Sequence, residues 1–157
     1  MSLSQKNRNY KIEERGRKVK RIKIRNITIK NEKTKVYNLQ VQKPNENFFA
    51  NRLLVHNCSL GCMYCVPAKT KILMANGRTK CIEEIREGES VISLNQDTQE
   101  FEASEVTTTM KRISKEIITI FAGNKTLSLT PEHPILIKNK GWVEASNIKK
   151  GDEVLIW

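Results

Sequence analysis

Histidine is almost missing from this 157-residue chain: only His56 and His133 occur, so histidine-dependent chemistry has two places to reside. No long apolar run is present, which excludes an ordinary membrane-spanning helix, and no charged-then-apolar leader is seen. No long amphipathic helical period appears either. The four cysteines fall at irregular spacing, Cys58, Cys62, Cys65 and Cys81, and do not make a disulfide framework. Without an export signal they fit a reducing, cytoplasmic setting and read as reactive or ligating thiols. Acidic residues are outnumbered, 17 against 28 Lys and Arg, and residues 1–35 alone hold 13 basic and 3 acidic side chains. Such a segment is expected to be a solvated basic face. The competing reading is a basic nucleic-acid-binding β domain contacting its partner through residues 6–35, with strongly salt-dependent affinity.

What is present is a succession of short apolar segments separated by turns. The length fits one domain with a real core. Ile22, Ile24, Ile27 and Ile29 alternate with polar neighbours, with a slip near Asn26, and predict a half-buried, bulged strand. Residues 34–41 alternate again, and Asn31-Glu32-Lys33 between the two suggests a hairpin. Phe48-Phe49-Ala50 and Leu53-Leu54-Val55 flank an Asn-Arg turn. Further strands are expected at 70–74, 90–94, 101–113, 116–120, 126–129, 135–137 and 154–156, with a tight turn at Ala75-Asn76-Gly77-Arg78. Single helical turns are expected near Cys81–Ile85 and Ala145–Lys149. The fold class read from this pattern is all-β.

The stretch that carries chemistry is His56-Asn57-Cys58-Ser59-Leu60-Gly61-Cys62-Met63-Tyr64-Cys65. The amide nitrogen of Asn57 can attack its own backbone carbonyl, close a succinimide and break the chain before Cys58. His56 can polarise that carbonyl or move the proton. Cys58 and Cys65 are nucleophiles on the downstream side of two potential break points, Asn57–Cys58 and Tyr64–Cys65. Cys62 reads as a passenger and Cys81 as a small buried apolar residue.

Residues 65–157 resemble the N-terminal half of an intein, a self-splicing protein element. The opening motif is matched by Cys65, Thr70-Lys71-Ile72, Gly77, Ile82-Glu83-Glu84-Ile85, Gly88 and Val91. A second is matched by Thr130-Pro131-Glu132-His133, and a third by the tail from Trp142 through Ile148 and Gly151-Asp152 to Val154. Residues 36–58 are similar to the other end of an intein, in Val36-Tyr37-Asn38-Leu39-Gln40-Val41, Asn47-Phe48-Phe49-Ala50-Asn51 and Val55-His56-Asn57-Cys58. Two positions depart from that terminal motif: Asn38 stands where an acidic residue is common, and Glu46 where a histidine is common.

The resemblance implies a horseshoe-shaped, pseudo-twofold hedgehog/intein fold, here circularly permuted because the terminal half precedes the opening half. Residues 1–57 are then the C-terminal half with a polar tail. Residues 58–64 are a bridge of flanking sequence, and residues 65–157 are the N-terminal half, all in one globular domain. It also implies the roles. Cys65 makes a thioester with the Tyr64 carbonyl, His133 protonates the departing nitrogen while Thr130 holds the local turn, Cys58 takes the acyl group, and Asn57 cyclises with help from His56. The substrate is the chain's own flanking segment. No cofactor, metal, membrane or obligatory nucleic acid is implied, and a monomer suffices.

The bridge has a resemblance of its own. Cys58, Cys62 and Cys65 are similar to the three-cysteine loop of radical SAM enzymes. The α/β barrel and glycine-rich motif of such enzymes are missing, so an iron–sulfur fragment is the lesser alternative and inheritance from a radical SAM host the preferred reading.

Overall fold

A computed structural model describes residues 19–57 and 64–157. The basic segment up to residue 18, and Cys58 and Cys62 within the bridge, lie outside the described residues. Fourteen strands and two short 3-10 turns make up the described chain, with no α-helix among its residues, so the expected all-β class is the one observed.

In order the strands are β1 (Lys20–Lys30), β2 (Thr34–Val41), β3 (Asn47–Ala50), β4 (Leu53–His56), β5 (Val66–Pro67), β6 (Lys71–Leu73) and β7 (Thr79–Cys81). They continue as β8 (Ser90–Asn95), β9 (Glu100–Ser114), β10 (Ile117–Ala122), β11 (Lys125–Leu129), β12 (Pro134–Ile137), β13 (Gly141–Glu144) and β14 (Glu153–Ile156). The larger sheet runs β11-β10-β1-β14-β12-β4-β3-β6-β7, with β13 beside β12; the smaller runs β5-β2-β9-β8.

The strands at the middle of the larger sheet are apolar on both faces because both faces are covered. All four residues of β3 and of β12 are buried. Alternation sends Phe48 into the main core with Leu53, Val55, Ile72 and Ile135, and Phe49 into a second core with Leu54, Ile92, Leu94 and Phe101. Phe49 meets Phe101 edge-on at 5.5 Å. Truncating either phenylalanine would cost about 3–5 kcal/mol, the range for a large buried aromatic.

β1 carries the slip expected near Asn26. Its register shifts between Ile24 and Asn26, and the strand changes partner there: Lys20–Lys23 pair with β14, and Ile24–Lys30 with β10. The hairpin expected between β1 and β2 does not form. Ile27 and Ile29 lie opposite Ile120 and Ile118 of β10, whereas a hairpin through residues 31–33 would set Ile29 against Lys35. β2 instead crosses to the other sheet and pairs with β9 and β5. The pattern also left three strands unread: β5, β13 and the three-residue β7, where a helical turn is expected from Cys81. β5 is only two residues long, and β13 lies just past a turn at Asn139 (φ 66°), too brief to show a period.

Candidate functional site

The two expected break points approach each other because β4 ends at His56 beside β12, while β5 begins just after Cys65 beside β2. Between β11 and β12 the chain turns through Thr130-Pro131-Glu132-His133, a turn closed by the His133 N–H donating to the Thr130 carbonyl at 3.1 Å. Thr130 and His133 are both fully buried.

This turn grips Cys65 from both sides. The Cys65 N–H donates to Thr130 Oγ1 at 3.0 Å, and the Thr130 N–H donates to the Cys65 carbonyl at 3.0 Å. Thr130 therefore does more than shape its own turn: its hydroxyl lies on the nitrogen of the Tyr64–Cys65 peptide. The Cys65 side chain is buried with Val36 and Ile117. Burial pushes its thiol up, the Arg112 guanidinium pulls against that rise, and Glu132 adds a smaller upward push.

His133 reaches both junctions. Its Nδ1 lies 3.3 Å from the Cys65 carbonyl oxygen and its Nε2 lies 2.8 Å from the His56 carbonyl oxygen. The ring of Tyr64 stacks on that of His133, with centroids 5.7 Å apart. Burial lowers the His133 pKa to about 4, against the upward pull of the two carbonyls.

At the other junction His56 Nδ1 lies 2.6 Å from the carbonyl oxygen of Asn57. That oxygen only accepts, so the bond requires the proton on Nδ1. The Trp142 ring meets the His56 ring edge-on at 4.9 Å and limits its rotation. Asn57 is buried, its N–H donating to the Glu46 carbonyl at 2.8 Å and its Nδ2 lying 3.5 Å from the Val41 carbonyl. Glu46 thus meets the site through its backbone. Asn38 is buried, with Oδ1 accepting from the Leu39 N–H at 2.7 Å.

Among the expected site residues, Cys65, Thr130, His133, His56 and Asn57 are brought together, and Cys58 lies outside the described residues. Cys81 differs from expectation. It is half-buried rather than core, and Lys71 Nζ lies 3.1 Å from its sulfur, because β6 and β7 place the two residues directly opposite. Sequence reasoning missed Arg112 and Trp142 as neighbours of the site, since each arrives from a distant strand.

An all-β frame that sets a buried cysteine junction and a His-Asn junction on two sides of one buried imidazole belongs to the class of domains that transfer acyl groups within their own chain. Residues 72–157 match the family model described as the intein splicing domain, and the chain belongs to that family, whose activity is autocatalytic protein splicing. The matched stretch contains Thr130 and His133 and starts seven residues after Cys65. No curated protein matches the chain. None of the helical segments among the described residues is long and apolar enough to cross a membrane.

Proposed function

We propose that this chain is a circularly permuted intein that excises and cyclises its own bridge, residues 58–64. The observation that carries the reading is His133, whose two ring nitrogens lie against backbone carbonyls at both junctions, 3.3 Å and 2.8 Å away. Groups that close need little further ordering before they react, and such proximity contributes the larger part of acyl-transfer rates.

In this reading the Cys65 sulfur bonds to the Tyr64 carbonyl carbon and the carbon–nitrogen bond breaks. The Cys65 thiol proton passes to the unprotonated Nδ1 of His133, which delivers it to the freed nitrogen, with the Thr130 hydroxyl fixing that nitrogen in place. Cys58 then displaces Cys65 from the thioester. Asn57 Nδ2 attacks its own carbonyl, which His56 polarises from 2.6 Å. The Asn57–Cys58 bond breaks, the Cys58 amine is freed, and a sulfur-to-nitrogen shift restores an amide. Because Cys58 is both acceptor and first residue of the acyl chain ending at Tyr64, the product is a head-to-tail ring of Cys-Ser-Leu-Gly-Cys-Met-Tyr. Gly61 eases the reversal that such closure needs. The three-cysteine spacing of the bridge is then sequence inherited from a radical SAM host.

The test is mass spectrometry after incubation in reductant at raised temperature. The cyclic heptapeptide is expected together with residues 1–57 and 65–157. A heptapeptide heavier by one water would mean hydrolysis without ligation, and an intact folded chain would remove the reading.

A further inference from the structure

Resting on the splicing reading, we infer that Arg112 is a further catalytic residue of the first acyl shift: its guanidinium meets the Cys65 sulfur and stabilises the thiolate that attacks, while Glu132 sets how much of that charge the sulfur feels. The placement follows from sheet register. Pro67 of β5 lies opposite Val36 of β2, and Val36 lies opposite Arg112 of β9. Directly opposed residues share a face, and Cys65, two residues before Pro67, returns to it by the period-two alternation. Val36 is packed against Cys65, so Arg112 extends over a site whose floor is already fixed.

The guanidinium has two partners there. It donates from Nη2 to Glu132 Oε1 at 2.9 Å, and it also donates to the Cys65 thiol. Glu132 lies inside the Thr130–His133 turn, beside the imidazole that reaches the Cys65 carbonyl. One arginine therefore links the nucleophile, the turn that grips its backbone, and strand β9. The charged and titratable groups facing the sulfur are Arg112 from β9, and Glu132 and His133 from the turn. Val36 of β2 and Ile117 of β10 pack against it.

The chemistry needs such a cation. The thiolate, not the thiol, attacks the Tyr64 carbonyl, and burial favours the thiol. An opposite charge at contact range offsets burial. Losing it would leave about tenfold to a thousandfold less thiolate at neutral pH. Thiolate nucleophilicity rises with basicity (Brønsted slope about 0.4–0.5), so the rate loss is smaller, roughly threefold to thirtyfold.

The experiment uses the full chain with Asn57→Ala and Cys58→Ala, which confines reaction to the Tyr64–Cys65 bond. Into it go Arg112→Gln, Arg112→Lys and Glu132→Gln. Two quantities are read against pH: the Cys65 13Cβ shift in cysteine-labelled protein, assigned by its loss in Cys65→Ser, and the rate of dithiothreitol cleavage at Tyr64–Cys65. Arg112→Gln should move the Cys65 midpoint up and Glu132→Gln should move it down, with Arg112→Lys between parent and Arg112→Gln. Cleavage by Arg112→Gln should catch up with the parent above its raised midpoint. Midpoints that stay put, or that move the same way in Arg112→Gln and Glu132→Gln, overturn the inference and reduce the pair to a clamp. If Arg112→Gln fails to fold, opposite shifts in Arg112→Lys and Glu132→Gln decide the same question. Opposed shifts without cleavage in any variant would support the thiolate assignment and remove the splicing reading instead.

Discussion

His133 is held between two acceptors, and a neutral imidazole has one N–H to give. The shorter contact, Nε2 to the His56 carbonyl, takes that proton, so Nδ1 faces the Cys65 carbonyl with its lone pair until the ring is protonated. The ring's pKa, about 4 when folded, lies below its ordinary 6.5. The unfolded chain therefore binds a proton that the folded chain refuses. Stability from this group is fully present above about pH 6.5 and is lost as pH falls toward 4, a change on the order of 3 kcal/mol. The melting temperature should fall over that window, and His133→Gln, which carries no titrating ring, should flatten the fall. An unchanged slope in that variant would assign the acid sensitivity elsewhere. Asn57 makes the complementary case. In Asn57→Ala the nucleophilic amide is gone, so release before Cys58 should stop while dithiothreitol still cleaves at Tyr64–Cys65; continued release, read by intact mass, would discard the Asn57 role.

Among the elements, the β3–β4 and β10–β11 hairpins show how local sequence and distant packing combine. Asn51 and Arg52 both have positive φ, 46° and 77°, as a two-residue hairpin turn requires. Asparagine suits that region and arginine does not; Arg52 is kept there by donating to the Trp157 carbonyl at 2.8 Å and stacking 4.8 Å from the Trp157 ring. Gly123, between β10 and β11, has φ 59°, and a Cβ there would run into the Ile22 side chain of β1. Gly123→Ala should thus destabilise by about 1–3 kcal/mol through backbone strain and overpacking together. Thermal denaturation of Gly123→Ala, alone and with Ile22→Ala, separates the two: partial recovery in the double variant is expected if the contact matters.

Across the whole molecule, the two stretches on either side of the bridge are woven into common sheets. β1 pairs with β10 and β14, β2 with β5 and β9, β3 with β6, and β4 with β12 and β14. In the main core Phe48, Leu53 and Val55 pack with Ile72, Ile135 and Ile156. Residues 1–57 and 65–157, expressed as separate chains and mixed, should therefore associate, co-elute on size exclusion and part only in denaturant. Independent elution of two folded pieces would contradict the shared core.

Much of this was legible along the chain. Period-two alternation marked β1 with its bulge, β2 and β10. The Asn-Arg pair marked the β3–β4 turn. The reactive residue types of His56, Asn57 and Cys65 named a candidate site, to which the resemblance to inteins added Thr130 and His133. Alternation fixes which residues are apolar-facing, but not which strand comes alongside, because pairing depends on residues far apart in sequence. Only the tertiary structure therefore decided that β1 leaves β2 for β10, that Cys81 meets Lys71, and that Trp142 leans on His56. The same holds for Arg112, an ordinary polar residue of a long strand until the register Pro67–Val36–Arg112 carries its charge to the buried Cys65 sulfur.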